Sequence, residues 1–342
     1  MKLIHALAVA LVLAPLPALA NDTTAQLGTG GLVFMTNEDI VMASEDLSIS
    51  PEQVKVVYKF HNKSDEDQHI LVAFPMPDIK GDGDFMVGIP TEDPDNIFGF
   101  ETTFNGKPVD AVLHQYAFAN NIDYSEELKA MGVPMAPYGQ ETLSALNALS
   151  DADKAKLFGQ GLVIPMEYDA GNGPQVDTTP VWTLRSTYSW EATFPAGEDA
   201  DVVHTYKPSI GGTVIATFMP SSADETYSQE HLAAYQKKYC VDDDLIRAIK
   251  KQGTTTDGYT QYPFTESWIS YIWSTGNNWF GPIGKFTLTV DKGDAVNLVS
   301  FCGEGVKKVG PTTFQMTATD WYPPYDQELE ILLLMHNDNV IQ

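Results

Sequence analysis

Apolar and polar residues alternate along much of the chain with the period of two that is typical of a β-strand covered on one face. In the segment 54–60, Val, Val, Tyr and Phe occupy every second position. The polar stretch 62–67 follows, and an apolar segment resumes at 70–74. The pattern predicts two strands joined in a hairpin that ends at Pro75, because proline cannot donate to a central ladder.

Two further hairpins are predicted. The alternating segment 181–190 and the apolar segment 202–206 flank a turn that contains a Phe-Pro pair. Asn105-Gly106 is the strongest short hairpin signal in the chain, because both residue types tolerate the positive φ of a tight turn. It predicts pairing between 98–104 and 109–114.

Helical patterns interrupt the strands. In the segment 141–149, leucines recur at helical spacing, and Ser150 with Asp153 three positions later resembles a capping box. We interpret the whole insert 119–164 as a packed connector, with a lid over a site as the alternative.

A second helical stretch is predicted within 228–253, where Asp242 can cap a helix that ends at Gly253. The segment 265–273 is predicted to form one or two helical turns, with Trp268 and Ile272 on one face.

Together these patterns predict a mainly β protein with helical insertions, an α+β fold built of antiparallel β-sandwich-like domains. The expected division is a signal peptide over 1–20, an N-terminal β domain over 21–118, a helical insert over 119–164 and a C-terminal β-rich domain over 165–342.

The first 20 residues have the pattern of a cleavable secretory signal peptide. Lys2 precedes the apolar run 3–13, and Ala18-Leu19-Ala20 stands before polar Asn21. The run is shorter than the roughly 20 residues that span a bilayer. We therefore expect a periplasmic or secreted protein with no transmembrane segment after signal cleavage.

The chain is strongly acidic, with 46 Asp and Glu against 20 Lys and Arg and a formal net charge of −26. This balance argues against nucleic acid as a partner, because nucleic-acid binding requires a positive surface. Cys240 and Cys302 are the two cysteines of the chain, and in an oxidising compartment such a pair predicts one structural disulfide.

The marks of familiar catalytic classes are absent from the sequence. There is no Gly-x-Ser-x-Gly elbow and no His-x-x-x-His pair. We therefore expect no cofactor and favour a protein that is not an enzyme.

An acidic stretch offers candidate calcium ligands, because that ion prefers hard carboxylate oxygens. The candidates are Asp78, Asp82, Asp84, Asp93 and Asp95. The distal glutamate of an EF-hand is missing, so a solvated acidic loop is the alternative.

Aromatic residues crowd the segment 259–279 and could stack on a sugar. The candidate ligand-binding residues are Trp268, Tyr271, Trp273 and Trp279. A core-facing cluster is the alternative. If the segment lines a glycan cleft, Glu266 with Asp257 could supply the paired carboxyls of a glycan-processing hydrolase.

Several segments resemble the bacterial exported family known as domain of unknown function 4424. They are YKFHNKS at 58–64, AFPMP at 73–77, YKPSIGG at 206–212, NWFGPI at 278–283 and FCGEGVKK at 301–308. The resemblance covers essentially the whole chain after residue 20. It implies a bacterial periplasmic or secreted protein and brings no activity, ligand or catalytic residue.

Three functional hypotheses remain. The favoured one is a non-enzymatic envelope protein that binds an unknown protein, glycan or other ligand. The others are a glycan-processing hydrolase that uses Glu266 and Asp257, and a calcium-dependent module that uses the acidic stretch 78–95.

Overall fold

The structure of the protein is a computed structural model that describes residues 21–28, 31–81, 87–169, 171, 173–221 and 226–337. In chain order the strands are β1 Thr23–Gly28, β2 Gly31–Met35, β3 Ile40–Ile49, β4 Val54–Asn62, β5 Gln68–Pro75, β6 Ile79–Lys80, β7 Glu101–Phe104, β8 Lys107–Val109, β9 Val112–Ala119, β10 Ile122–Asp123, β11 Val163–Asp169, β12 Pro174–Pro180, β13 Thr183–Phe194, β14 Asp199–Tyr206, β15 Gly211–Thr213, β16 Thr254–Thr256, β17 Tyr259–Gln261, β18 Phe264–Tyr271, β19 Ile283–Asp291, β20 Leu298–Phe301, β21 Lys307–Lys308, β22 Thr313–Trp321 and β23 Leu329–His336. The helices are α1 Ser125–Ala130, α2 Gln140–Ala148, α3 Asp151–Gly159, α4 Thr226–Tyr239 and α5 Asp243–Lys250, with a 3₁₀ turn at Ser274–Asn278.

Within these ranges the strands form three larger sheets. Sheet A has the order β10-β9-β13-β5-β1-β2, with β6 also paired to β13; sheet B has the order β21-β22-β19-β3-β4-β14-β7-β8; sheet C has the order β15-β18-β23-β20. The strands β3 and β19 run parallel, and the other pairings between these strands are antiparallel. The predicted mainly β, α+β fold is therefore confirmed.

A single apolar core joins the three sheets. Phe74 and Trp190 enter it from sheet A, Phe60 from sheet B, and Tyr271 and Leu333 from sheet C, all with at most 3% of their surface exposed. Strands on both sides of the helical insert share the two large sheets, because β13 pairs with β5 and β14 pairs with β4. The division into two β domains stays a prediction.

The two longer predicted hairpins are wrong in their pairing. The strands β4 and β5 form where predicted, but β4 pairs in sheet B and β5 pairs in sheet A. The strands β13 and β14 are divided between the sheets in the same way. Each connection is therefore an arch that carries the chain from one sheet to the other.

Asn62 fixes the two arches to each other. Its Nδ2 donates to the carbonyl oxygens of Glu66 and Phe194, at 2.9 Å in each case. Its backbone nitrogen donates to the carbonyl oxygen of Glu198 at 3.0 Å. The side chain is completely buried, so it satisfies carbonyl groups that the arches would otherwise leave without partners.

The tight turn at Asn105-Gly106 is confirmed, with both residues at positive φ between β7 and β8. The predicted return strand 109–114 is wrong, because β8 ends at Val109 and the chain enters sheet A as β9 from Val112. The helical turns predicted for 265–273 are wrong, because β18 pairs with β23 and β15 there. Phe264 packs on one side of the strand and Ile269 in the main core on the other. A strand covered on both faces loses the clean alternation that would have identified it.

The helical insert packs on sheet A around its own apolar cluster. Leu128, Leu146 and Leu157 come from the three helices and are completely buried with Trp182. The side chain of Ser150 accepts a hydrogen bond from the backbone nitrogen of Asp153, as the capping-box pattern predicts.

The helices α4 and α5 pack on the outer face of sheet C. Tyr239 and Ile249 meet Leu332 and Leu334 there in a second cluster. Asp242 caps α5 as predicted, because its side chain accepts from the backbone nitrogen of Leu245 at 2.8 Å. None of the helices in the described part of the chain has the length and apolar character needed to cross a membrane.

Candidate functional site

The structure disperses those calcium candidates that it describes. Asp78 lies 3.4 Å from Nε of Arg185. Asp93 and Asp95 are exposed, and Asp93 accepts a hydrogen bond from the backbone nitrogen of Asp95 at 3.0 Å. Asp82 and Asp84 lie outside the described residues. Among the residues described, no three His, Cys, Asp or Glu side chains are grouped to hold a metal.

Asp78 instead belongs to a half-buried charge cluster with Glu328 and Glu330. The pKa of Glu328 is raised to about 7. Burial is the largest cause, followed by the negative charges of Glu330 and Asp78. Lys80 and Lys238 oppose that shift. The carboxylates of Glu330 and Asp78 therefore raise the proton affinity of Glu328.

Three of the four aromatic candidates are buried in the main core. Tyr271, Trp273 and Trp279 are buried in the main core with at most 4% of their surface exposed. Nε1 of Trp273 donates to the carbonyl oxygen of Gln327 at 2.7 Å. Trp268 is half-buried, and its Nε1 donates to Glu266 at 3.2 Å. Protein atoms cover the three core rings, so in this conformation they offer no face to a sugar.

The carboxyls of Glu266 and Asp257 lie in different surroundings. Glu266 is 2% exposed and accepts from the backbone nitrogen and hydroxyl of Thr217, the hydroxyl of Tyr235 and Nε1 of Trp268. Asp257 is exposed in the turn between β16 and β17, at a φ of +52°. Four donors consume the acceptor capacity of Glu266, so it holds α4 to sheet C and has no open position toward a substrate.

The two cysteines form a disulfide at the joint after α4. Cys240 follows α4 directly, Cys302 follows β20, and their Cα atoms lie 5.1 Å apart. The hydroxyl of Ser300 donates to the carbonyl oxygen of Tyr239 at 2.9 Å beside the bond. One disulfide bond and one hydrogen bond therefore join the helical segment to the edge of sheet C.

An open groove lies between α3 and the hairpin of β11 and β12. We call it the insert groove. Its volume is about 420 Å³. Its lining residues are Asp151, Lys154, Ala155, Phe158, Val163, Pro165, Val176 and Thr178.

The hairpin register explains which side chains reach the insert groove. Pro165 is opposite Thr178, and Val176 is opposite Glu167 two positions along. Residues 163, 165, 176 and 178 thus lie on one face of the hairpin. Phe158 from α3 and Val176 remain 57% and 59% exposed, which makes the walls of the groove apolar and open to solvent.

Asn147 holds the groove in shape. Its Nδ2 donates to Asp177 at 3.1 Å, and its Oδ1 accepts from the backbone nitrogen of Thr178 at 3.0 Å. Its carbonyl oxygen accepts from Nζ of Lys154 at 2.8 Å. One residue at the end of α2 therefore fixes both the hairpin and α3.

The sequence interpretation missed this groove. Phe158 directly follows the buried Leu157, and Val176 stands alone between Gln175 and Asp177. Neither periodicity nor a motif singles them out. The available signal was weak: Val176 is the only bulky apolar residue between the prolines at 174 and 180.

Comparison with known proteins places the chain in a family. The model for "Domain of unknown function (DUF4424)" matches residues 20–332. The chain belongs to this family. This DUF4424 protein is also similar to a crystal structure from Legionella pneumophila subsp. pneumophila str. Philadelphia 1, described as a "putative nutrient binding protein", with 15% identity and a TM-score of 0.42 over 92% of this chain and 70% of that one. No curated protein matches the DUF4424 protein.

Proposed function

We propose that this DUF4424 protein is an exported, non-enzymatic binding protein that holds the apolar part of a small molecule in the insert groove. The observation that carries the proposal is the groove itself. Its volume of about 420 Å³ falls within the roughly 300–1,000 Å³ of ligand sites, which are mostly apolar with a few polar groups.

Exposed apolar walls supply the binding energy. Phe158 and Val176 each keep more than half of their surface in water. Covering a side chain of this kind completely is worth about 1.5–3 kcal/mol, so covering the exposed part of each is worth about 1 kcal/mol. Because Asn147 fixes both walls, little of that energy is lost in ordering the site.

The polar rim selects an amphiphile over a plain hydrocarbon. Asp151 and Lys154 both line the groove from α3, and both can meet a polar head while the apolar body lies between Phe158 and Val176. The leader pattern of residues 1–20 and the disulfide between Cys240 and Cys302 support an extracytoplasmic location.

The probe for this site is 1-anilinonaphthalene-8-sulfonate, an amphiphile whose fluorescence rises in apolar surroundings. We expect saturable binding of one molecule per chain. Val176→Asp and Phe158→Asp should each weaken the dye affinity at least about tenfold, since a carboxylate cannot lie against an apolar ligand without losing its hydration.

Val112→Asp is the matched control. Val112 is also a strand valine, 60% exposed, but it lies on β9 outside the groove, and its replacement should leave dye binding unchanged. Equal titrations for all four proteins would refute the groove as the site. If dye binding depends on the groove as expected, the natural ligand can be identified by mass spectrometry. An organic extract from the native protein would be compared with one from the Val176→Asp variant.

A further inference from the structure

The described chain begins inside the protein. Asn21 and Asp22 have no exposed surface. The carbonyl oxygen of Asn21 accepts from the hydroxyl of Thr275 at 2.6 Å, and that of Asp22 accepts from Nε1 of Trp279 at 2.5 Å. The backbone of these two polar residues is therefore anchored inside the protein.

The side chain of Asn21 joins a buried polar network. Its Nδ2 donates to Oε2 of Glu45 at 2.9 Å, and its Oδ1 accepts from the hydroxyl of Tyr58. The hydroxyl of Tyr271 donates to Oε1 of Glu45 at 3.3 Å. Sheets B and C both contribute to this network, which lies within the main core.

Two carboxyls of the network share one basic side chain in the described part of the chain. Asp22 and Glu45 are two completely buried carboxyls, and His204, with Nε2 at 3.0 Å from Asp22, is the basic group in contact with them in the described part of the chain. Oδ2 of Asp22 and Nδ1 of His204 have no hydrogen-bond partner. Burial raises the pKa of Asp22, and raises that of Glu45 to about 8. Buried carboxyls of this kind normally have a paired cation.

We propose that cleavage of the Ala20–Asn21 bond supplies that cation, so that the new α-ammonium of Asn21 is buried and pairs with Asp22 and Glu45. An export-associated peptidase catalyses the addition of water across this amide bond. The carboxyl group stays on Ala20, and the amine of Asn21 takes up a proton. The proposal is independent of the insert groove.

Covalent geometry limits how far the amine can lie from the network. Four bonds separate the main-chain nitrogen of Asn21 from the Nδ2 atom that donates to Glu45, a span of at most about 5 Å. The unpartnered carboxylate oxygen of Asp22 is on the adjoining residue. At such distances in the interior, unlike charges attract far more strongly than they do in water.

The consequence is that export and folding are coupled. A chain that retains its leader has an amide at this position and leaves the two carboxyls without the ammonium. Removal of the leader completes the core. The pKa of the α-amine should then rise above its unfolded value of about 7.7–8.0, so its stabilising effect is fully present below that pH and is lost as pH rises through the folded value.

The first test uses the full chain exported with its own leader. The mature protein should start at Asn21 by mass spectrometry. Inserting Gly-Ser between Ala20 and Asn21 keeps Ala18-Leu19-Ala20 for the peptidase but displaces the ammonium by two residues, about 7 Å. We expect the folding equilibrium constant, measured by urea unfolding, to fall at least about tenfold, and this loss to shrink when Asp22→Asn is already present.

The second test does not depend on any variant. An exposed α-amine is methylated by formaldehyde and cyanoborohydride faster than a lysine, because its pKa is about 7.7–8.0 against about 10.4. We expect the reverse order in the native protein, with the Asn21 amine reacting only after unfolding. A different mature start, a rapidly methylated α-amine, or a Gly-Ser variant as stable as the wild type would each overturn the proposal. If that variant does not fold, the methylation order decides.

Discussion

Removing the Cys240–Cys302 bond should destabilise the protein by an amount that follows from the loop it closes. The two cysteines are 62 positions apart. In the chain-entropy description a loop of that length restricts the unfolded chain by about 14 cal/mol/K, or about 4 kcal/mol at 25 °C. The Cys240→Ser/Cys302→Ser double variant should therefore unfold about 4 kcal/mol more easily than the wild type.

The choice of serine matters because Cys240 has a φ of +55°, where a side chain is strained. Serine keeps that strain, so the double variant isolates the effect of the cross-link. Replacing Cys240 with Gly in the same background should restore about 1 kcal/mol, because glycine adopts positive φ without that strain.

Urea unfolding followed by tryptophan fluorescence measures both effects. With a denaturant slope of about 3 kcal/mol/M, the midpoint of the serine variant should fall by more than about 1 M, while its native circular dichroism stays unchanged. The reasoning is refuted if the oxidised and serine proteins have the same midpoint, or if the glycine variant is no more stable than the serine variant.

Two further predictions concern β23 and the charge cluster. Leu332→Ala and Leu333→Ala should each lower the free energy of unfolding by about 3 kcal/mol. Because only Leu332 faces the helices, only its substitution should speed amide hydrogen exchange in α4 and α5. Equal exchange rates in the two variants would contradict this packing. Glu328 has a folded pKa of about 7 against an ordinary 4.5, so the wild type should lose stability as pH rises between those values. Glu328→Gln should remove about 1 kcal/mol of that loss, and parallel pH profiles would contradict it.

The sequence predicted strands better than their partners. A period of two shows that a segment lies on a sheet, and β4, β5, β13 and β14 form where the alternation predicts them. It does not show which strand lies beside it. The polar residues after β4 suit a hairpin turn and an arch equally well, and the contacts of Asn62 that decide the matter reach Phe194, 132 residues away.

The candidate sites were harder to predict because composition does not report burial. Tyr271, Trp273 and Trp279, together with Glu266, have the residue types of a glycan site, yet all four are buried. Asn21 and Asp22 are polar residues that follow the predicted leader, where a solvated position is the ordinary expectation. Their burial depends on Tyr58, His204 and Thr275, which are distant in sequence.

The insert groove and the buried polar network around Asn21 lie in separate parts of the structure, and this makes the two proposals distinguishable. The groove is built on the helical insert, which packs around its own apolar cluster, whereas the network lies among residues of the main core. The Gly-Ser insertion should therefore lower stability and leave dye affinity unchanged. Val176→Asp should weaken the dye and leave the urea midpoint unchanged, since an exposed valine contributes little to folding. A variant of either kind that changed both properties would show that the insert and the core are energetically coupled.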